Sequence, residues 1–141
     1  AVTDENGKLS GWRKNIYSFP PIGSPDSGAY TTVGDLDLFM RALVANRLLS
    51  KQFTEDLFKP KIMYRQTARA TYMMGYGFEF ALEPGGRRIM YMQKDGENPG
   101  VDGVLRYYPD TATVVAILAN QDCNVWDMAN EVGQALKGLQ I

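Results

Sequence analysis

The stretch Lys94-Asp-Gly-Glu-Asn-Pro-Gly-Val-Asp-Gly-Val-Leu-Arg-Tyr-Tyr-Pro-Asp110 decides how the chain is read. It opens on a lysine and a turn-forming Asp-Gly pair. It then passes through a second Pro-Gly pair into a run with strand character, Val104 to Tyr108. Glycine at position 96 admits close approach of backbone or ligand, because no Cβ intervenes. A lysine beside it, aimed into a cleft, can hold an anionic group or tune a neighbouring proton donor. A free N–H just after the glycine can face an oxyanion. Taken alone, a Lys-Asp-Gly triplet is also an ordinary hairpin turn.

The flanking sequence supplies the frame for a sheet. From Gly75 onward the apolar period is two, and "GYGFEFAL", "RRIMYMQ", "GVLRYYP" and "ATVVAILAN" read as about four strands of an antiparallel meander. "EPGG" (Glu83–Gly86) and "PDTA" (Pro109–Ala112) are hairpin-type turns between them. The last strand is almost wholly apolar, which predicts cover on both faces. Asn124 caps a final helix, with Asp127 near its positive end. Val125, Met128, Ala129, Val132, Ala135, Leu136 and Leu139 form that helix's apolar stripe, which predicts packing on the sheet.

Upstream, the period is helical. Thr32 precedes a segment in which Leu36, Phe39, Met40, Leu43 and Val44 share one face, with Asp35 in the first turn. Ser50 caps a shorter helix that is expected to bury Phe53, Leu57 and Phe58 before Pro60 stops it. Residues 61–74 hold Lys61, Arg65 and Arg69 and read as a surface segment. Residues 1–30 are loop-rich, with turn formers dense from Phe19 to Gly28. The expected organisation is one partial α+β domain over 1–141: a loop-rich lead (1–30), a helical part (31–74), and an antiparallel sheet with a C-terminal helix (75–141).

Composition narrows the chemistry. The chain has 141 residues, 45% of them apolar, enough for a real core. Fifteen basic residues against 16 acidic ones give a net charge of −1, which argues against a phosphate-driven nucleic-acid partner. No apolar run approaches the ~20 residues of a spanning helix. Histidine is absent and cysteine occurs once, at Cys123. A Ser-His-Asp triad, a Cys-His pair, an internal disulfide and the usual zinc sites are therefore excluded within this chain. No metal and no cofactor is expected. Cys123 lacks a base partner and reads as packing. Trp12, Trp126, Tyr76, Tyr107 and Tyr108 read as packing residues too. Tyr30 is open to two readings, core or cleft lining.

The ordered set of motifs resembles serine β-lactamases and penicillin-binding proteins, most closely the class C β-lactamase and esterase-like superfamily. Lys94-Asp95-Gly96 stands where that family has Lys-Thr/Ser-Gly, followed in frame by Gly100, Val101 and Pro109. "GSPDSGAYTTVGDLDLFMRALVANRLLS" (23–50) is similar to the family's Pro-x-Gly-Gly-x-x-Ser-Thr stretch, its Asp-Leu-x-x-Phe helix and its Leu-Leu-Ser ending. "MGYGFEF" (74–80) resembles the Gly-Tyr-Gly-Trp strand, and "VVAILANQD" (114–122) the strand before the C-terminal helix. The resemblance is collinear over about residues 20–141.

The resemblance implies a helical subdomain beside an antiparallel sheet, a partial β-lactamase/transpeptidase-like fold. It implies acyl transfer by a serine in Ser-x-x-Lys, aided by a tyrosine loop, with no histidine. Neither motif is present here. Ser10, Ser18, Ser24, Ser27 and Ser50 are not followed by x-x-Lys, and Tyr17-Ser18-Phe19 is not the tyrosine loop. The expectation is a C-terminal portion of a serine acyl hydrolase, inactive alone. It supplies one wall of a cleft for a small ester, amide or lactam and is completed by an N-terminal half or by self-association. The rival expectation is a non-enzymatic binding or structural module on the same scaffold. By resemblance, Lys94 binds a substrate carboxylate and supports the tyrosine, the backbone N–H of Glu97 is an oxyanion donor, and Asp95 and Gly96 complete the substrate-binding strand. Asp95 replaces a hydroxyl residue and Glu97 a small one, and two carboxylates beside Lys94 weaken its pull on an anion. A bacterial periplasmic or secreted location is the family-based expectation.

Overall fold

A computed structural model describes residues 2–14, 23–24 and 27–138. In chain order the elements are β1 (Val2–Thr3), β2 (Leu9–Gly11), α1 (Val33–Val44), α2 (Lys51–Leu57), β3 (Ile62–Gln66), β4 (Thr71–Met74), β5 (Glu79–Leu82), β6 (Ile89–Asn98), β7 (Val101–Tyr108), a 3₁₀ turn (Pro109–Thr111), β8 (Thr113–Ala119) and α3 (Val125–Gly138). Strands β1 and β2 pair as a small ribbon, and the other six form one antiparallel sheet in the order β3-β4-β5-β6-β7-β8. The fold is α+β, with six strands in the main sheet where about four were expected.

The additional pair is β3 and β4, drawn from the segment 61–74 that the sequence placed in the helical part. They form a hairpin registered Ile62↔Met74 to Gln66↔Thr71, closed by Thr67, whose backbone N–H donates to the Ala70 carbonyl and whose Oγ1 accepts from the N–H of Ala70. All five β3 residues are exposed, so no alternating apolar pattern announced the strand.

The chain divides into two units. A helix–sheet unit comprises Val33–Lys94 and Leu105–Ala116, and a hairpin–helix unit comprises Ala1–Thr32, Asp95–Val104 and Ile117–Ile141. In the helix–sheet unit the core joins Met40 and Leu43 of α1 to Phe78, Phe80, Leu82, Met92, Leu105 and Tyr107, with Leu57, Phe58 and Val114 packed against it. Phe58 and Phe78 meet edge to face at 5.9 Å. Alternation along the strands explains the sorting. Phe80 pairs with Met92 on the core side, while the neighbouring pair, Glu79 and Gln93, faces the other way and hydrogen-bonds at 3.2 Å.

That other side carries a buried arginine. Arg106 is 2% exposed, and its Nε and Nη2 both donate to Gln93 Oε1, at 3.0 and 2.8 Å. Its guanidinium stacks 4.0 Å from the Tyr91 ring centroid, and Tyr108 lies beside Tyr91 at 5.9 Å. Burial pushes the Tyr91 phenol up to about 12, against the opposing pull of the Arg106 cation. Burial and a hydrogen bond to Glu79 likewise raise the Tyr64 phenol.

Several packing expectations need correction. Phe53 is 67% exposed rather than buried, because only Leu57 and Phe58 of that group meet the core cluster. Phe39 and Val44 of α1 are also exposed, which leaves Met40, Leu43 and half-buried Leu36 as its working stripe. Trp12 and Tyr76 are exposed, not packed. Strand β8 is half-buried along most of its length rather than covered on both faces, as befits the end of the sheet order.

In the hairpin–helix unit, α3 places Val125, Ala129 and Gly133 inward at a spacing of four. Val125 and Ala129 pack with Val104, Ile117, Ala119, Cys123 and Trp126. Met128, Val132 and Ala135 face solvent instead, and Leu139 lies outside the described residues. The caps are as expected. Ser50 Oγ accepts from the N–H of Phe53 at 3.4 Å, and Asn124 Oδ1 accepts from the N–H of Asp127 at 3.0 Å.

Candidate functional site

Strand β6 does not stop at the Lys-Asp-Gly triplet. It continues to Asn98, and the tight turn is Pro99–Gly100, where Gly100 takes a φ of 78°. Lys94 and Glu97 are exposed, and both stand within the strand rather than at the hairpin tip. Gly96 sits between them in open space, with no heavy atom within 4 Å of where a Cβ would be. Asp-Gly suggested a turn because both residues favour one, but the Pro-Gly pair that follows fixes φ more strongly and takes that role.

Asp95 points elsewhere. Its Oδ2 accepts a hydrogen bond from the indole Nε1–H of Trp126 on α3, and the residue is half-buried. The carboxylate expected to compete with Lys94 for an anion is thus engaged with the helix. Trp126 itself packs against the small core of its unit, as expected of a packing residue.

The hairpin–helix unit also holds a cavity of about 410 Å³. Residues 28–31, Asn98 and Val101 of the hairpin, and residues 118–120 at the end of β8 line it. Gly28, at a φ of 85°, starts the first segment, and a Cβ built on Gly23 would stand 2.9 Å from the Gly28 carbonyl oxygen. The loop therefore closes on itself only with glycine at both positions. Tyr30 is 82% exposed, which overturns the core role the sequence favoured, and it lines this cavity. Leu118 lines the opposite part, and its Cδ2 would stand 3.0 Å from a Cβ at Gly103.

Among the described residues the lining carries no charged side chain. It includes the polar residues Asn98, Asn120, Thr31 and Tyr30 and the apolar residues Val101, Leu118 and Ala119. Such a lining suits a neutral group with a few hydrogen-bonding atoms. Lys94, Asp95, Gly96 and Glu97 are not among the lining residues, although Asn98 follows Glu97 directly. The sequence reading missed Asn98 and Asn120, because an asparagine beside a turn is common and the cavity joins three segments far apart in the chain.

Among the described residues no cluster of three or more His, Cys, Asp or Glu is placed to hold a metal, and no helix is long and apolar enough to cross a membrane. Tyr17 and Ser18 lie outside the described residues. Ser10, Ser24 and Ser50 each hydrogen-bond to backbone of their own turn, ribbon or cap.

No family model and no curated protein sequence matches the chain. A solved structure does: the penicillin binding protein from Bacillus halodurans, at a TM-score of 0.80 and 30% identity. The match covers 96% of this chain and 39% of that one, so the chain spans about two fifths of that protein's length. With its antiparallel sheet, its paired helices before the sheet and its closing α3, the chain has a penicillin-binding-protein-like α+β fold, of which it spans a part.

Proposed function

We propose that the chain forms one wall of the acyl-transfer cleft of a serine hydrolase of β-lactamase-like, esterase or peptidase type. The observation that carries this is the fold match together with the in-frame Lys94-Asp95-Gly96 on an exposed stretch of β6. In this reading the Lys94 ammonium holds the polar or anionic end of the substrate, and the Glu97 backbone N–H donates to the developing oxyanion. Gly96 keeps the strand bare where the acyl group passes, and Asp95 holds the strand to α3 through Trp126. The cavity lined by residues 28–31 and the hairpin, whose described lining is uncharged, receives the neutral part of an ester, amide or lactam. The nucleophilic serine, its lysine and the tyrosine come from outside these residues, from a preceding segment or a partner, and the chain alone does not turn over substrate.

The test begins with the reading frame upstream of Ala1, where an in-frame Ser-x-x-Lys is expected. The protein carrying it should hydrolyse nitrocefin or a p-nitrophenyl ester and show an acyl adduct by mass spectrometry. Lys94→Ala should then lower kcat/KM by at least about tenfold. Glu97→Ala, which removes the exposed carboxylate beside Lys94 and leaves Asp95 on Trp126, should improve turnover of a carboxylate-bearing substrate. No adduct, with both substrates untouched, would sink the proposal.

The Asp95–Trp126 bond favours a second reading, a binding module without catalysis, since the side chain at the family's hydroxyl position is spent on packing. Absence of any upstream Ser-x-x-Lys supports that reading over the first.

A further inference from the structure

The segment joining β8 to α3, residues 120–124, meets the β6–β7 hairpin through carboxylates. Asp122 Oδ1 accepts from the backbone N–H of Gly100 at 2.6 Å. Asp102 Oδ2 accepts from the backbone N–H of Cys123 at 2.6 Å. At the second residue of α3, Trp126 donates to Asp95. Charge-assisted bonds of this kind are roughly twice as strong as neutral ones. They matter here because, among the described residues, the apolar cluster of the unit buries Val104, Val125 and Ala129 alone.

The placement of these bonds is informative. Gly100 lies two residues after Asn98, and Asp122 lies two residues after Asn120. The Asp122–Gly100 bond therefore ties together two short arms whose residues Asn98 and Asn120 both line the cavity. Asp102 backs it from within the hairpin: the residue is 3% exposed, and its second oxygen, Oδ1, has no hydrogen-bond partner. A buried carboxylate with a bare oxygen is costly to keep, and its other oxygen is met by the Cys123 N–H.

We propose that Asp122 and Asp102 are positioning residues that latch the β8–α3 segment onto the β6–β7 hairpin and so fix the spacing of Asn98 and Asn120 across the cavity. The latch stands by itself; its bearing on substrate choice rests on the acyl-hydrolase reading above.

The test uses Cys123, the only cysteine of the chain, as the reporter, since its own N–H is part of the latch. Labelling of the native chain by Ellman's reagent is measured beside the urea midpoint, and the side-chain amide resonances of Asn98 and Asn120 are followed by NMR. Asp102→Ala should speed labelling by about tenfold or more, and Asp122→Ala by several-fold. Both should move the two amide resonances. Asp102→Asn should label within about twofold of the parent, because its carbonyl still accepts from Cys123 while its NH₂ fills the place of the bare oxygen. Asp122 is exposed, so Asp122→Ala carries the test even if Asp102→Ala fails to fold. Parent-like labelling and unmoved amides in Asp122→Ala overturn the latch. So does faster labelling fully matched by a fall in the urea midpoint, which marks general destabilisation. Failure of nitrocefin and ester turnover sinks the hydrolase reading and leaves these measurements untouched.

Discussion

The two units solve the same problem with different means. The helix–sheet unit buries eight apolar side chains in one cluster and adds a buried Arg106 held by Gln93 and Tyr91. Among its described residues the hairpin–helix unit buries three in its cluster, Val104, Val125 and Ala129, and Asp95, Asp102 and Asp122 bind loop and helix to hairpin. Burial is non-directional and tolerates small shifts, whereas a hydrogen bond fails beyond a few tenths of an ångström. The unit with the smaller cluster among the described residues is thus the one in which individual polar atoms set geometry, and it holds the cavity.

The largest test of that contrast is Phe80→Ala. Phe80 is fully buried at the centre of the larger core, and its truncation should cost about 3–5 kcal/mol by urea denaturation. Arg106→Ala comes next, at about 2–3 kcal/mol, because Gln93 Oε1 loses both of its donors inside the structure. Arg106→Met, which keeps the volume, should cost clearly less. Val104→Ala removes two methyl carbons from the small core and should cost about 2 kcal/mol. If it cost as much as Phe80→Ala, the contrast between the units would collapse.

The smallest effect at neutral pH comes from Tyr91. Its phenol ionises at about 12 in the folded chain against 10 for the free group. The neutral form is favoured by the fold, so its contribution is fully present below pH 10 and is lost as the pH rises from 10 through about 12. Absorbance at 295 nm should show a late-titrating tyrosine that Tyr91→Phe removes. The same variant should flatten the fall in stability over that window. A tyrosine complement titrating wholly near 10 would contradict the packing around Arg106.

Much of this was legible in the residues. Period-two runs gave β5 to β8, Ser50 and Asn124 gave two helix starts, and the Glu83–Gly86 and Pro109–Ala112 turns fell where expected, the latter as a 3₁₀ turn ending in Ala112 at a φ of 50°. What stayed hidden had physical causes. Strand β3 is exposed at every position, so sequence periodicity held no trace of it. Phe53 was counted inward because an apolar residue on a helix suggests a covered face, and nothing in one sequence says where cover ends. At the site, Lys94 to Glu97 could be marked from their order with the other motifs. The partner of Asp95 lies 31 residues away, and the cavity is assembled from three separate segments. Contacts of that kind leave no local spacing to read.

Gly103 offers a last consequence. A side chain there would press on Leu118, yet Gly103 itself is not part of the cavity lining. Exchanging one hydrogen for a methyl on β7 would therefore resize the chamber by pushing on Leu118, with no lining residue replaced. A scaffold built this way can be recalibrated for slimmer or bulkier occupants without rewriting its chemistry.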